Sequence, residues 1–90
     1  MKLSEVKKLN IPENPGVYFF RKGKEILYIG KATSLKDRTR SYFAKDLIDT
    51  RGPAILDMTV KTDTLSWQET DTVLEALLLE AELIKKYQPY

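Results

Sequence analysis

Apolar and polar positions change their period several times along the chain, and each change marks an element. Residues 1–11 are short and basic, with room for a helical turn. Pro12, Pro15 and Gly16 mark a turn that leads into a strand. Two runs rich in Val, Ile, Tyr and Phe follow, Gly16 to Arg21 and Glu25 to Gly30, and both predict strands. Between them Lys22-Gly23-Lys24 reads as a three-residue hairpin loop with Gly23 in the left-handed region. That loop length pairs Arg21 with Glu25, Tyr18 with Tyr28, and Gly16 with Gly30. Directly opposed residues share a face, so both tyrosines are expected to point the same way. A slip of one residue would separate them.

Helical spacing takes over downstream. Residues 34–44 predict a helix with Ser34 as its cap and Asp37 at the third position. Leu35 and Tyr42 fall on one side of it, with Phe43 beside them. A short helix is expected from Pro53, a favoured first-turn residue, with Ala54, Ile55 and Met58 at near-helical spacing. Residues 64–70 predict a third strand with Leu65 and Trp67 on one face. Thr72 and Glu75 have capping-box spacing, and the helix they open is expected to run to about Tyr87, ahead of Pro89. The expected fold class is a small α/β domain, a three-stranded and mostly antiparallel sheet flanked by helices. With no repeats and no linker, residues 1–90 are expected to form a single domain.

Composition narrows the chemistry. The 90 residues include no Cys and no His. This excludes disulfides, thiolate zinc sites, cysteine nucleophiles and imidazole bases. Acid–base work falls to Asp, Glu, Lys, Tyr or a metal-bound water, and oxygen ligands favour Mg²⁺, Mn²⁺ or Ca²⁺. No apolar run is long enough to span a membrane, and the N-terminus lacks a signal-peptide core, so a cytoplasmic protein is expected. The net charge of +2 conceals an asymmetry. Residues 1–45 carry a net +7, and residues 46–90 a net −5. A basic half suits a polyanion such as nucleic acid, although solvated faces produce the same pattern.

Four kinds of residue could carry chemistry. Glu80 has Ala76, Leu77, Leu83 and Ile84 at three and four residues on either side, which places it in or beside an apolar stripe. A carboxylate there needs a cation, a donor or a proton. Arg38 has Leu35 and Tyr42 as helical neighbours and also borders an apolar face. Lys36 and Arg40 should point more towards solvent. Taken singly, Tyr18 and Tyr28 read as core residues with a tethered hydroxyl. Each nevertheless lies two residues from a glycine, Gly16 or Gly30, and glycine in a strand often marks close backbone approach. Lys31 follows as a cation at the strand end.

These residues together resemble a known family. Gly16-Val17-Tyr18, Tyr28-Ile29-Gly30, the run from Lys31-Ala32 through Leu35, Arg38 and Arg40-Ser41-Tyr42-Phe43, and the helix Glu75 to Tyr87 with Glu80 at its centre occur in the order seen in the GIY-YIG nuclease superfamily. Within it the chain is similar to the N-terminal nuclease domains of UvrC-type excision-repair subunits. The resemblance implies the GIY-YIG fold and a metal-dependent DNA endonuclease making the 3′-side incision in nucleotide excision repair. It implies one Mg²⁺ or Mn²⁺ held by Glu80, with Arg38 stabilising charge at the scissile phosphate. Either Tyr18 or Tyr28 takes the proton from water, with its pKa lowered by Lys31, Arg38 and the metal. Lys31 and Tyr42 match further active-site positions, and Gly16 and Gly30 match the structural motif. Lys31, Lys36, Arg38 and Arg40 are expected on DNA. The implied partners are DNA and UvrB-like repair subunits, with the chain expected to be a fragment of a longer protein. The alternatives are a GIY-YIG nuclease for branched or unmodified DNA, and a non-cleaving nucleic-acid-binding module.

Overall fold

The computed structural model describes residues 1–44 and 52–87. Their elements are α1 (Leu3–Lys7), β1 (Gly16–Lys22), β2 (Glu25–Ala32), α2 (Leu35–Ser41), α3 (Pro53–Lys61), β3 (Thr64–Glu69) and α4 (Val73–Tyr87). The sheet order is β2-β1-β3, and both pairings are antiparallel. The α/β class and the order of elements are as expected. Residues 88–90, with the expected stop at Pro89, lie outside the described residues.

The central strand is apolar on both faces because both are covered. Tyr18 and Phe20 join Val6, Ile11, Leu35, Tyr42, Phe43 and Leu65 in the larger core under α1 and α2. Val17 and Phe19 join Ile29 on the opposite face, where Leu79 and Leu83 of α4 cover them. The proline turn serves as a clamp. The carbonyls of Pro12 and Asn14 accept the Lys36 and Leu35 amides, and that of Pro15 accepts the Thr70 amide at 2.9 Å. The turn thus supplies acceptors to otherwise unpaired donors in the first turn of α2.

The expected hairpin register is corrected. The turn has two residues, since Lys22 faces Glu25 around Gly23 at φ +59°. A bulge follows, with Arg21 opposite Ile26 but Phe20 opposite Tyr28, leaving Leu27 as the extra residue. Tyr18 therefore faces Gly30 rather than Tyr28, and Gly16 faces Ala32 rather than Gly30. The tyrosines still share a face. The shorter turn alone would have separated them, and the bulge restores the parity.

Three helix expectations also change. α2 ends at Ser41, so Tyr42 and Phe43 reach the core from the turn beyond it. Ser34 does cap it, accepting the Asp37 amide at 3.3 Å. In α3, Ala54 is exposed, while Ile55 and Met58 pack against the core. On α4 the Thr72 hydroxyl accepts the Glu75 amide at 3.1 Å, and the Glu75 carboxylate meets that hydroxyl at 3.3 Å rather than the Thr72 amide.

Candidate active site

The cluster starts from Gly30. A β-carbon there would collide with the ring and hydroxyl of Tyr18, so only glycine lets that ring lie across β2. Gly16 has a related role, since its β-carbon would meet the Gln68 carbonyl and come within 2.8 Å of Leu35 Cδ1. The two motif glycines thus give Tyr18 and the start of α2 their room.

Three tyrosines meet on the α1/α2 face of the sheet. The Tyr18 and Tyr42 hydroxyls hydrogen-bond at 2.7 Å. The Tyr28 ring centroid lies 6.3 Å from that of Tyr18 and 6.1 Å from that of Tyr42. Phe20 floors the cluster, 5.1 Å from Tyr42 and 5.6 Å from Tyr18. Tyr18 and Tyr42 are each 1% exposed, whereas Tyr28 is half-buried. The Arg38 guanidinium sits 5.7 Å from the centre of the Tyr42 ring. Its interaction with the Tyr18 hydroxyl is the largest influence on its pKa and raises it. The Arg38 residue as a whole is exposed, so a ligand can reach it.

Arg38 lowers both tyrosine pKa values as expected, but in the chain itself burial outweighs it. Burial dominates and drives the Tyr18 phenol well above its ordinary range, with Tyr42 adding to the rise and Arg38 only opposing it. Tyr28 is pushed up to about 12, again first by burial, with Tyr42 and Glu80 raising it further. Lys31 is not among the causes for either.

Glu80 reaches the site from α4. Its side chain is 19% exposed, and its carboxylate oxygen lies 3.9 Å from Lys31 Nζ. Ala76 is fully buried and Leu83 half-buried, but Leu77 and Ile84 are exposed, so Glu80 stands at the edge of the apolar seam. Among the described residues no three carboxylates gather to cage a metal. A lone, largely buried carboxylate with one loose cation beside it suits Mg²⁺, which keeps most of its waters and takes one or two carboxylates. The donor set therefore fits a hydrated hard cation.

Next to this cluster a cleft of about 590 Å³ opens between the end of β2, α2 and the start of α4. Lys31, Ser34, Asp37, Arg38 and Ser41 line it. Sequence reasoning missed Ser41 and the carboxylate of Asp37 as lining groups. Their signal was the spacing Ser34, Asp37, Arg38, Ser41, one face of a single helix. Lys36 and Arg40 stand two residues either side of Arg38 and so lie on another face. Lys36 pairs with Glu13 at 3.8 Å, and Arg40 is partly buried with an Nε that has no hydrogen-bond partner among the described residues. Of the four basic residues expected on DNA, Lys31 and Arg38 line the cleft and Lys36 and Arg40 do not. The expectation that Lys36 and Arg40 point more towards solvent than Arg38 is corrected, since both are partly buried and Arg38 is exposed.

The chain is similar to known proteins. Over 88 residues the chain is 46% identical to UvrABC system protein C of Rickettsia bellii, covering 97% of this chain and 13% of that protein. Over 90 residues it is 44% identical to UvrABC system protein C of Caldanaerobacter subterraneus subsp. tengcongensis, covering 99% and 14%. The chain thus spans only about one seventh of the length of these relatives. Among solved structures it is similar to the GIY-YIG N-terminal endonuclease domain of UvrC from Thermotoga maritima bound to its catalytic divalent cation, magnesium. The TM-score is 0.80 at 37% identity, over 99% of this chain and 96% of that one. Point-mutant forms of that domain, also bound to the cation, include one matching at a TM-score of 0.82 and 36% identity, over 99% and 94%. Three of these forms replace a tyrosine by phenylalanine, and the altered tyrosines have the spacing of Tyr18, Tyr28 and Tyr42 here. Residues 14–90 match the UvrC-like GIY-YIG domain, and the chain belongs to that family.

Proposed function

We propose that the chain is a metal-dependent DNA endonuclease domain that hydrolyses one phosphodiester bond on the 3′ side of a lesion in nucleotide excision repair. The observation that carries this reading is the convergence of Tyr28, Tyr42, Arg38, Lys31 and Glu80 from four parts of the fold on one side of the molecule. DNA is the substrate, and UvrB-like repair subunits are the proposed partners.

Each residue has a role its position suits. Glu80 holds the cation, Mg²⁺ or Mn²⁺. When bound, that cation neutralises charge at the phosphate and on the leaving 3′-oxygen. Arg38, exposed at the cleft, binds the scissile phosphate and stabilises the charge that grows on it. Lys31 supplies a second cation at the cleft mouth. Tyr28 is the tyrosine that can meet a water, being half-buried, whereas the Tyr18 hydroxyl is enclosed and engaged by Tyr42 and Arg38. Tyr28 therefore takes the proton of the attacking water. Tyr18 and Tyr42 position Tyr28 and Arg38.

The test is nicking of a damaged duplex with Mn²⁺, comparing the chain with Glu80→Gln. Metal-dependent nicking that Glu80→Gln loses supports the proposal. Equal nicking by both overturns the role of Glu80. Binding without nicking by either overturns the nuclease reading of this chain. A matched undamaged and a branched duplex in the same assay read the substrate preference.

A further inference from the structure

On the reading that Glu80 holds the cation, we propose that Lys31 is a built-in competitor for that carboxylate, displaced by the cation and released towards the phosphate. Lys31 Nζ lies 3.9 Å from Glu80 Oε1. The two side chains differ in freedom. Glu80 is 19% exposed on a helix seated through Ala76, Leu79 and Leu83. Lys31 is 47% exposed, on a backbone held by pairing opposite Val17 and by the buried neighbours Gly30 and Ala32. The lysine is the partner that can move.

Electrostatics then makes occupancy exclusive. Without a cation, the ammonium offsets the cost of a largely buried carboxylate. A half-exposed pair at this separation is weak, so displacing it costs little. A divalent ion on Glu80 would sit within a few ångströms of the ammonium, where repulsion between the two is strong. Lys31 must then swing outwards. The space available is the cleft that it already lines with Arg38 and Ser41, where a phosphate would be met. Seating the cation therefore frees an ammonium for the substrate. By linkage, a phosphate that draws Lys31 away tightens the cation on Glu80.

The experiment is direct Mn²⁺ binding to the full chain without DNA, by calorimetry and by electron paramagnetic resonance at low salt. Wild type is compared with Lys31→Met, Lys31→Arg and Glu80→Gln. Lys31→Met should bind Mn²⁺ about two- to fivefold more tightly, the range of a partly exposed ion pair. Lys31→Arg should stay near wild type, and the gain should shrink as salt rises. Lys31 is exposed enough for both variants to fold. Unchanged or weaker binding by Lys31→Met, with binding lost in Glu80→Gln, overturns the competition and leaves the Glu80 reading standing. Equal tightening by Lys31→Arg overturns charge as its cause. Wild-type binding by Glu80→Gln overturns the ligand reading and, with it, this inference.

Discussion

At the scale of single residues, Gly30 and the tyrosines it accommodates are the sensitive points. Gly30→Ala must push a β-carbon into Tyr18, which is enclosed on all sides. Overpacking of this kind costs about 1–3 kcal/mol, and urea denaturation should show a loss in that range together with loss of nicking. The tyrosines also set an alkaline limit on stability. The folded chain holds the Tyr18 and Tyr28 protons more tightly than the unfolded chain, whose phenols titrate near 10.0. The Tyr28 contribution is full below pH 10.0 and is lost as pH rises towards about 12, its folded value, while the loss of the Tyr18 contribution continues to higher pH. The melting temperature without divalent cations should therefore fall over that window, and Tyr28→Phe should fall less steeply. Equal slopes would contradict the burial argument. That Tyr18, Tyr28, Arg38 and Glu80 were candidates was legible from their neighbours and order. The direction of the phenol shifts was not, because burial is decided by what packs above the ring.

At the scale of elements, β1–β2 shows how a correct face can come from an incorrect register. Tyrosines ten residues apart in a hairpin share a face only if loop and pairing agree in parity. A turn of two residues and a one-residue bulge at Leu27 supply that agreement here. Nothing in the pattern of Ile26, Leu27 and Tyr28 announces a bulge, because three apolar residues in a row obscure the period. Helix α4 is a second case. Its leucines suggest a broad buried face, yet one sheet covers only the seam of Ala76, Leu79 and Leu83. Leu78 is 62% exposed. Leu78→Ala should change stability by no more than about 0.5 kcal/mol. Leu79→Ala, next in sequence but packed on Val17, Phe19 and Ile29, should cost about 1–3 kcal/mol. Denaturant titration of the two variants checks the facing of the helix.

At the scale of the whole molecule, charge is placed as well as counted. The basic first half supplies Lys31 and Arg38 to the cleft, and the acidic second half sends Glu80 to meet them. Each phosphate neutralised steepens the fall of log affinity with log salt by about 0.9. Arg38→Ala should reduce that slope by about one unit for duplex DNA, whereas Lys36→Ala, paired with Glu13 on another face, should leave it nearly unchanged. Equal effects would mean that α2 meets DNA over more than its cleft face. Among the described residues no helix is long and apolar enough to cross a membrane.

The sequence by itself determined what depends on local chemistry. Period and propensity placed the strands and helices, Ser34 and Pro53 marked helix starts, the absence of Cys and His limited the chemistry, and the ordered motifs identified the family. Tertiary structure decided what depends on distance and enclosure. It put Gly30 under Tyr18 and brought Lys31 to Glu80 across two elements. It also raised phenol pKa values that nearby cations alone would have lowered. Pairing register, burial and electrostatic field all arise from residues far apart in the chain, so no local pattern contains them.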